Sequence, residues 1–335
     1  MWTCYMVSAQ ELLGILADGK YHSGTDLGHE LGVSRAAVWK VIQKIEKELG
    51  LTVFAVKGKG YRLQQPLELL DKNKILEKLN EKTAKQLSNI EIFFEIESTN
   101  QYLNNKSLDG APGGLIVIAE QQSKGIGRRG RGWVSPFGCN LYLSLLWRFP
   151  YGAAQLGCLS LYIAVAIVRT LHKVGIKDAG VKWPNDIYWK NKKLAGILLE
   201  MRGELSGPSA VVMGIGLNIN MPSSNTETKN IDQAWIDVQT ILGRAVDRNE
   251  FTAKVINELF DVLNEIPDAQ NKLLEEWKDM DILKGQNIEV TFSNKTIIGE
   301  ALGINKDGAL LLRHNDKDII CHSGDVSIRR DESND

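Results

Sequence analysis

Glycines and arginines alternate in a short stretch that follows an apolar run. Residues 120–133 hold four glycines and three arginines, and residues 115–119 before them are all apolar. Glycine lets backbone N–H groups approach an anion closely, and arginine grips carboxylate or phosphate oxygens through paired hydrogen bonds. The stretch therefore predicts a loop that binds a phosphate or a carboxylate through Arg128, Arg129 and Arg131. A solvated basic turn is the alternative.

Part of this loop also fits the glycine spacing of dinucleotide-binding proteins. Residues 125–130 place glycine at the first, third and sixth positions. That motif must open a helix, and an acidic residue that binds the ribose must follow about twenty residues later. Gly132 and Pro136 oppose a helix here, and the sequence has no Asp or Glu between Glu120 and Asp178. A dinucleotide-binding Rossmann fold is therefore rejected.

Polar residues that could bind a ligand or take part in catalysis occur at two other points. Residues 98–100 are Ser, Thr and Asn at the boundary between a predicted strand and a predicted helix, where helix capping is the alternative role. Residues 182–186 are Lys-Trp-Pro-Asn-Asp, and a hairpin turn at residues 190–192 follows them. Lys193 could be an ordinary solvated hairpin lysine. Its place at the start of an apolar strand beside Asp186 favours a functional role.

The chain is long enough to bury more than one hydrophobic core. Its 335 residues are 43% hydrophobic, so two or three domains are expected. The formal net charge of -1 excludes a strongly basic or acidic protein, and any contact with nucleic acid must come from a local patch. The 4 cysteines are isolated and show neither zinc spacing nor a disulfide framework. A reducing, cytoplasmic setting is expected.

The sequence predicts no segment for export or membrane insertion. The first seven residues lack the basic and apolar regions of a signal peptide. The most apolar stretch, residues 156–171, contains Ser160 and Arg169 and is short for a membrane span. It predicts a buried helix, and no membrane partner is expected.

The first 65 residues show a pattern typical of a winged helix-turn-helix. Leucine spacing predicts a first helix over residues 10–17, and Ser23 and Ser34 are suitable caps for two more. The third helix, residues 35–49, carries an apolar stripe at helical spacing. Two short strands joined by residues 57–60 then form the wing.

Basic side chains on the third helix and on the wing indicate DNA binding. They can contact phosphates, while the beginning of the helix can face base edges in a major groove. A winged helix that serves only protein contacts is the alternative. Acidic residues nearby predict modest affinity for a monomer, so tight binding would need a dimer. The predicted DNA-binding residues are Ser34, Arg35, Ala36, Ala37, Lys40, Lys57 and Lys59, with Lys44, Lys47 and Arg62 as further phosphate contacts.

The remaining elements predict two more units. Consecutive strands joined by short turns in residues 90–220 predict a mixed or antiparallel sheet with helices packed on one side. Five short strands from residue 288 onward predict a small β-barrel. The chain is therefore expected to be an α+β, multidomain protein, with a winged helix at residues 1–65, a central domain at residues 66–275 and a barrel at residues 276–335.

Four motifs taken together resemble the biotin protein ligases. They are the glycine-arginine loop, Lys-Trp-Pro-Asn-Asp at residues 182–186, the strand of residues 193–200, and Gly-Ile-Gly-Leu-Asn-Ile-Asn at residues 214–220. With the winged helix in front, nearly the whole chain is similar to the bacterial family of bifunctional biotin ligases and biotin operon repressors. The resemblance implies a central domain of the class II synthetase-like ligase fold that binds biotin and ATP, and a terminal barrel of the SH3-like type.

The family joins biotin to ATP, releases pyrophosphate, and passes the biotinyl group to a lysine of a biotin carboxyl carrier protein. The resemblance therefore implies biotin, ATP and Mg²⁺ as ligands and the carrier protein of acetyl-CoA carboxylase as a partner. It also implies that biotinyl-5′-AMP is the corepressor and that the protein binds operator DNA of biotin genes. Because the loop has few apolar anchors and its arginines repel one another, we expect that biotinyl-5′-AMP orders it and thereby favours a homodimer. Attack of a carboxylate on a phosphate brings two anions together, so such a site needs fixed cations and metal.

The resemblance also assigns roles to individual residues. Lys193 would meet the biotin carboxylate and the new acyl-phosphate oxygen, with Arg128, Asp186 and Lys182 beside it in catalysis. Asp186 and Asn218 are the candidate Mg²⁺ ligands, directly or through water. The implied biotin-binding residues are Ser98, Thr99, Asn100, Gln122, Ile126, Gly127, Arg128 and Lys193, and the implied ATP- or adenylate-binding residues are Arg128, Arg131, Trp133, Asn185, Asn218 and Trp235.

Two features depart from the family pattern. Ile126 stands where the usual loop has arginine, which predicts little change if only the backbone there binds biotin, and leakage of the adenylate if the charge retains it. The segment between residues 220 and 235 is longer than usual. Core packing is the alternative role for Trp133 and Trp235. Two other functions stay open: a biotin-sensing repressor that has lost catalysis, and a lipoate-type ligase.

Overall fold

Three units follow one another in the computed structural model, which describes residues 2–203, 207–222, 228, 231–292, 295–322 and 324–328. The first unit holds three helices and a hairpin, the second a seven-stranded sheet with its helices, and the third five short strands. This order confirms the predicted α+β class.

The described residues form the following elements, with short 3-10 turns at Arg128–Gly130 and Ala153–Leu156. The helices are α1 (Trp2–Leu16), α2 (Gly24–Glu30), α3 (Arg35–Leu49), α4 (Lys72–Glu77), α5 (Glu81–Gln86), α6 (Thr99–Leu108), α7 (Leu159–Lys173), α8 (Val238–Leu242) and α9 (Arg248–Asp279). The strands are β1 (Val53–Val56), β2 (Gly60–Leu63), β3 (Asn89–Phe93), β4 (Leu115–Ala119), β5 (Leu141–Phe149), β6 (Gly180–Lys182), β7 (Asp186–Trp189), β8 (Lys192–Gly203), β9 (Ser209–Leu217), β10 (Asn287–Thr291), β11 (Thr296–Ile304), β12 (Leu310–His314), β13 (Lys317–Cys321) and β14 (Asp325–Ile328).

Caps and turns define the winged helix. Ser34 begins α3 because its side-chain oxygen accepts a hydrogen bond from the backbone N–H of Ala37 at 3.2 Å. Gly60 starts β2 with φ of +103°, and an added Cβ would lie 1.9 Å from the carbonyl oxygen of His22, so only glycine fits. Helix α1 starts earlier than the predicted residues 10–17, because residues 2–9 contain no glycine or proline to stop it.

The central sheet separates two apolar layers. Its strand order is β3-β4-β5-β9-β8-β7-β6, parallel between β3 and β4 and antiparallel elsewhere. Ile116 and Ile118 of β4 join the core that contains α7 and α9, whereas Leu115 and Val117 pack with Leu103 of α6. The prediction of helices on one side only was wrong. Strand β4 is apolar at every position, so both of its faces need cover, and α6 covers the second.

The predicted buried helix lies at the centre of the larger core. The segment Ala153–Lys173 is long and apolar enough to cross a membrane, but 72% of its most apolar window is buried inside the protein. Its side chains pack with those of α9 and with one face of the sheet. The apolar character of this segment is therefore explained by core packing, as predicted.

The winged helix and the central domain share buried side chains. Phe137 is only 3% exposed in the core of the winged helix, and its ring centre lies 4.6 Å from that of Phe94. Arg248 of α9 forms a buried ion pair with Glu120 at 2.9 Å, and Glu120 also accepts a hydrogen bond from the backbone N–H of Leu70 in the linker. The linker is therefore fixed to the central domain.

The last five strands form an antiparallel sheet in the order β13-β12-β11-β10-β14. This confirms the predicted run of short strands, while closure into a barrel and the domain boundaries after residues 65 and 275 stay predictions. The unit docks through Gly308, whose carbonyl oxygen accepts a hydrogen bond from Trp183 Nε1 at 3.0 Å. The predicted turn at residues 293–295 lies partly outside the described residues.

Candidate active site and DNA-binding face

A cavity of about 700 Å³ lies between the glycine-arginine loop and the central sheet. It collects residues from the start of α6, from the β7–β8 hairpin, from β9 and from the segment before α8. Its volume is in the range that holds a cofactor-sized ligand. Of the predicted site residues, those that line the cavity are Ser98, Thr99, Asn100, Gln122, Ile126, Gly127, Arg128, Arg131, Trp133, Asn185, Asp186, Lys193, Asn218 and Trp235.

Glycines in the sheet make room for the larger groups of the cavity. Gly196 of β8 and Gly216 of β9 are paired, and an added Cβ would lie 3.0 Å and 2.3 Å, respectively, from the indole ring of Trp133. An added Cβ at Gly214 would lie 2.2 Å from the side-chain oxygen of Asn100. The motif at residues 214–220 therefore needs glycine because an aromatic ring and an amide pack directly on the backbone.

The glycine-arginine loop folds back on itself. The backbone N–H of Trp133 donates to the carbonyl of Gly125 at 2.8 Å, and that of Gly127 donates to the carbonyl of Arg131 at 2.7 Å. An added Cβ at Gly125 would lie 2.5 Å from the carbonyl oxygen of Trp133. The glycine-arginine loop contains a short 3-10 turn at Arg128–Gly130, in which Arg129 has a non-helical φ of 56°. The loop therefore does not open a helix, and this agrees with the rejection of the dinucleotide-binding motif.

Lys193 and Asp186 form the charged centre of the cavity. Lys193 Nζ lies 2.9 Å from Asp186 Oδ2, with the side chains 14% and 29% exposed. The same ammonium lies 5.4 Å from the ring centre of Trp133. Partial burial makes the attraction stronger than that of a surface pair, so the ammonium is held before any ligand arrives.

Arg128 joins two units at the cavity. Its Nη1 donates to Asn185 Oδ1 at 3.1 Å, and its Nη2 donates at 3.5 Å to the carbonyl oxygen of Gly324 in the C-terminal unit. Asn185 in turn donates a hydrogen bond to the carbonyl of Ile197. The predicted anion-binding arginine is therefore oriented by neighbours on either side.

The segment before α8 is paired with β8. The N–H of Lys193 donates to the carbonyl of Ala234 at 2.9 Å, and the N–H of Ile236 donates to the carbonyl of Lys193 at 3.0 Å. Asn218 Nδ2 donates to the carbonyl of Ile236 at 3.1 Å. These bonds place Trp235 half-buried at the cavity wall. Part of the longer segment predicted after residue 220 lies outside the described residues.

The polar end of the cavity lies at the start of α6. Ser98 caps this helix, since its Oγ accepts a hydrogen bond from the N–H of Gln101 at 3.4 Å. The N–H of Thr99 donates to Gln122 Oε1 at 2.9 Å, and the hydroxyl of Thr99 lies 3.0 Å from the same oxygen. The capping alternative therefore describes Ser98, while Thr99 and Gln122 are hydrogen-bonded directly to each other in the cavity wall.

Two contributors to this polar end were missed in the sequence. Ser144 of β5 is fully buried, and its Oγ lies 2.7 Å from Thr99 Oγ1 and 2.6 Å from Asn100 Oδ1. Glu200 of β8 accepts a hydrogen bond from Asn100 Nδ2 at 2.8 Å. The available signal was a lone serine in the otherwise apolar first part of β5. Glu200 carries no comparable local signal.

Lys182 was predicted to be catalytic, but it is not among the described residues that line the cavity. Its ammonium lies 4.8 Å from the ring centre of Tyr188 and 3.4 Å from the hydroxyl of that residue. Ile126 lines the cavity but is 48% exposed. The described residues contain no group of three or more His, Cys, Asp or Glu side chains that could hold a metal ion.

The predicted DNA-binding side chains lie together on the winged helix. Arg35, Ala36 and Lys40 are exposed on α3, and Lys57 and Lys59 are exposed at the tip of the wing. The guanidinium of Arg62 lies 5.2 Å from the ring centre of Tyr21 and 5.0 Å from that of Phe54, which stiffens the base of the wing. Ala37 is half-buried, and the hydroxyl of Ser34 serves as the helix cap.

Sequence families match each of the three units. The model of an HTH domain matches residues 9–62, that of the Biotin/lipoate A/B protein ligase family matches residues 93–218, and that of the Biotin protein ligase C terminal domain matches residues 284–329.

Individual relatives match over almost the full length. The chain is 39% identical to the bifunctional ligase/repressor BirA of Salmonella typhimurium, over 96% of this chain and 97% of that protein. It is 31% identical to the protein of the same name from Bacillus subtilis, over 93% of this chain and 95% of that protein. A solved structure, the biotin protein ligase from Aquifex aeolicus in complex with biotin and ATP, is 25% identical with a TM-score of 0.62, and the match covers 73% of this chain and 100% of that one.

Proposed function

The chain belongs to the family of bifunctional biotin protein ligases and DNA-binding repressors, and on this premise we propose how its cavity performs the reaction. Biotin and ATP first give biotinyl-5′-AMP and pyrophosphate, and the biotinyl group then passes to a lysine of a carboxyl carrier protein. The observation that carries this proposal is the Lys193–Asp186 pair, 2.9 Å apart, in one cavity with the glycine-arginine loop.

The first step joins two anions. A carboxylate oxygen of biotin attacks the α-phosphorus of ATP, the bond from that phosphorus to the bridging oxygen breaks, and pyrophosphate leaves. Lys193 and Arg128 stabilise the charge that accumulates on the phosphoryl oxygens, because both cations are held before the substrates bind. Asp186 keeps the ammonium of Lys193 directed at the reacting centre.

The biotin ring system occupies the polar end of the cavity. Thr99 and Gln122 bind its ureido group, with Ser98 and Asn100 holding the start of α6 in place. Ile126 and Gly127 cover the ring from the loop, where Ile126 contributes its backbone. Contact through the backbone alone predicts little effect of isoleucine at this position on biotin binding.

The adenylate extends from Lys193 toward the segment before α8. Trp133 and Trp235 pack against the nucleotide, since both are half-buried in the cavity wall rather than in the core. Arg131, Asn185 and Asn218 complete this side of the site, with Asn218 anchoring the segment through its bond to Ile236.

A magnesium ion is the expected companion of ATP in this cavity. The ion commonly takes one or two protein carboxylates and completes its shell with substrate oxygens and water. Asp186 would supply the carboxylate and Asn218 an amide oxygen, directly or through water, and this small donor set fits such an ion. When bound, Mg²⁺ neutralises phosphate charge during adenylation. Lys182, which lies just before the β7–β8 hairpin, adds a positive charge farther from the reacting atoms.

The second step transfers the biotinyl group. The neutral ε-amine of the carrier lysine attacks the carbonyl carbon of the adenylate, AMP leaves, and the amine loses a proton as the amide forms. The expected acceptor is the biotin carboxyl carrier protein of acetyl-CoA carboxylase. This partner and the reduced, buried cysteines of the described residues agree with a cytoplasmic location.

Repression couples the cavity to DNA through dimerisation. Biotinyl-5′-AMP orders the glycine-arginine loop and favours a homodimer, which presents two winged helices to a two-fold operator of biotin genes. In each subunit the surface that contacts DNA consists of Ser34, Arg35, Ala36, Ala37, Lys40, Lys57 and Lys59. Sedimentation velocity with and without biotinyl-5′-AMP tests the coupling, and an unchanged monomer–dimer equilibrium would contradict it.

Exchange of labelled pyrophosphate into ATP tests the ligase proposal. The purified protein should catalyse this exchange with biotin and Mg²⁺, and not with lipoate or without the metal ion. Exchange with lipoate alone would indicate a lipoate-type ligase. No exchange with either acid would indicate a biotin-sensing repressor.

A further inference from the structure

Exposed aromatic side chains are concentrated on the winged helix. In the part of the chain that the structure describes, the large apolar side chains exposed on this unit are Tyr21, Trp39, Phe54 and Val56, and those exposed elsewhere are Leu108, Ile126, Met201 and Ile320. The rings of Tyr21 and Phe54 flank the guanidinium of Arg62 at 5.2 Å and 5.0 Å, which accounts for their position. Trp39 is 52% exposed, more than the other three on this unit, and the proposed function does not use it.

Trp39 lies on the outer side of α3. The core side of this helix is marked by its buried side chains, which are Val38, Ile42, Ile45 and Leu49. Trp39 follows Val38 by one residue and is therefore turned about 100° away from the core. Ala36, Lys40 and Gln43 are exposed as well. The indole thus belongs to the same surface as the predicted DNA-binding side chains.

The position of Trp39 along α3 directs its ring toward the beginning of the helix. In an α-helix the Cα–Cβ bond tilts toward the N-terminus, so a side chain covers the turn before its own Cα. The turn before Trp39 contains Ala36 and Ala37, which carry only methyl groups. The indole is therefore the largest apolar group at the end of α3 that would enter a major groove.

The charges around Trp39 indicate what binds there. Residues 31–45 contain no Asp or Glu, while Arg35 and Lys40 are exposed. The first acidic residue of α3, Glu46, is held by the wing, since its Oε1 accepts a hydrogen bond from the backbone N–H of Val53 at 3.2 Å. A surface that joins an indole to cations fits a polyanion that also presents apolar groups. The major groove of DNA is such a partner, because each thymine exposes a C5-methyl group there.

We propose that Trp39 is a specificity-determining residue of the winged helix, whose indole packs against the C5-methyl group of a thymine in each half of a two-fold DNA site. This inference rests on the proposed repressor function. Cations that contact phosphates supply affinity but carry no sequence information. An apolar contact with a base edge distinguishes thymine from cytosine, which has no methyl group at that position.

The test uses the duplex that the unmodified protein selects from a random library in the presence of biotinyl-5′-AMP. Replacing one thymine at a time by deoxyuridine removes the methyl group and leaves every hydrogen-bonding group of the base in place. Trp39→Ala removes the indole, and Trp39→Phe keeps an aromatic face. The matched control is Lys57→Ala, which removes an exposed cation at the tip of the wing. Pyrophosphate exchange and melting temperature should be unchanged in all three variants.

Uracil at one thymine of each half-site should weaken binding by the unmodified protein about fourfold, the factor for one buried methyl-sized group. Trp39→Ala should bind the unsubstituted duplex at least about tenfold more weakly, with an unchanged salt dependence, and uracil should have no further effect. Trp39→Phe should keep part of the sensitivity to uracil. Lys57→Ala should bind more weakly with a shallower salt dependence and should keep the full sensitivity.

Three results would overturn the inference. They are equal sensitivity to uracil in Trp39→Ala and in the unmodified protein, full affinity of Trp39→Ala for the duplex, and a selected duplex in which no thymine is sensitive. Equal sensitivity would mean that the methyl group acts through DNA shape or through another side chain, such as Ala36. Failure of the unmodified protein to select any duplex would overturn the proposed repressor function, and this inference with it.

Discussion

Positive charge is used in opposite ways in the central cavity and on the winged helix. In the cavity, Lys193 is 14% exposed and held at 2.9 Å from Asp186. On the winged helix, Arg35, Lys40 and Lys57 are exposed to solvent. The cavity keeps its cation in one place, and the winged helix spreads its cations over a surface.

The two arrangements suit two kinds of anion. A developing charge on one phosphoryl group is stabilised most by cations that need no reorganisation at the moment of reaction. DNA is a long polyanion, and binding it gains free energy when several exposed cations displace condensed counterions. Substitutions in the cavity should therefore have large, localised effects on catalysis, whereas substitutions on the winged helix should have small effects that depend on salt.

Removing the central cation should have the largest effect. Lys193→Ala should lower the rate of biotin-dependent pyrophosphate exchange by about 10²–10³-fold, in the range of a lost donor to a developing oxyanion. The exposed neighbour Lys192 provides the matched control, Lys192→Ala, which should exchange normally. Normal exchange by Lys193→Ala with a native melting temperature would remove this lysine from the mechanism.

Adding a methyl group beneath Trp133 should have the next largest effect. In Gly216→Ala the new Cβ would lie 2.3 Å from the indole, so Trp133 must move. Overpacking of this kind costs about 1–3 kcal/mol, and the KM values for biotin and ATP should rise roughly tenfold. Thermal unfolding and exchange kinetics measure both quantities. Gly157→Ala, where no atom lies within 4 Å of the added Cβ, should change neither.

A single change on the DNA-binding face should have a smaller effect. Arg35→Ala should weaken binding about fivefold, and the slope of log K against log salt should become shallower by about one. The probe is a duplex that the unmodified protein selects from a random library in the presence of biotinyl-5′-AMP. Pyrophosphate exchange should be unchanged. Equal loss of DNA binding and pyrophosphate exchange would indicate misfolding, and would contradict separate roles for the winged helix and the cavity.

Three buried cysteines, Cys139, Cys158 and Cys321, should show no reaction with an alkylating agent. Burial raises the pKa of the Cys139 thiol to about 12, and burial also raises the pKa values of Cys158 and Cys321. Because only the thiolate reacts, and burial both shields the three sulfur atoms and opposes their ionisation, iodoacetamide at pH 8 should leave all three unmodified in the native protein. Peptide mapping after alkylation measures this. Labelling of Cys139 at pH 8 would show that the contact between the winged helix and the central domain near Phe137 opens.

The sequence allowed good prediction of the elements whose signals are local. The cap at Ser34, the stripe of α3 and the turn of the wing lie within a few residues of each other, and the structure confirms them. The two-sided cover of the central sheet was harder to predict. Strand β4 is apolar throughout, but the sequence does not show which helix packs on which face.

Cavity residues could be predicted as members of a site, but their orientation could not. Asn100 and Glu200 are 100 positions apart, and Arg128 reaches a carbonyl 196 positions away. Motifs identify residue types, whereas hydrogen-bond direction depends on partners that only the folded chain brings together. A motif can also include a residue that does not line the site. Lys182 belongs to the Lys-Trp-Pro-Asn-Asp motif, but it is not among the described residues that line the cavity.

The packing of Phe137 in the core of the winged helix affects what happens to the central domain when the winged helix is removed. Phe137 and Phe94 belong to the central domain in sequence, yet they pack into the core of the winged helix. Deletion of the first unit would leave both rings facing water beside each other, and exposed apolar patches promote aggregation. Polar side chains at these two positions would therefore favour solubility in a protein without the winged helix.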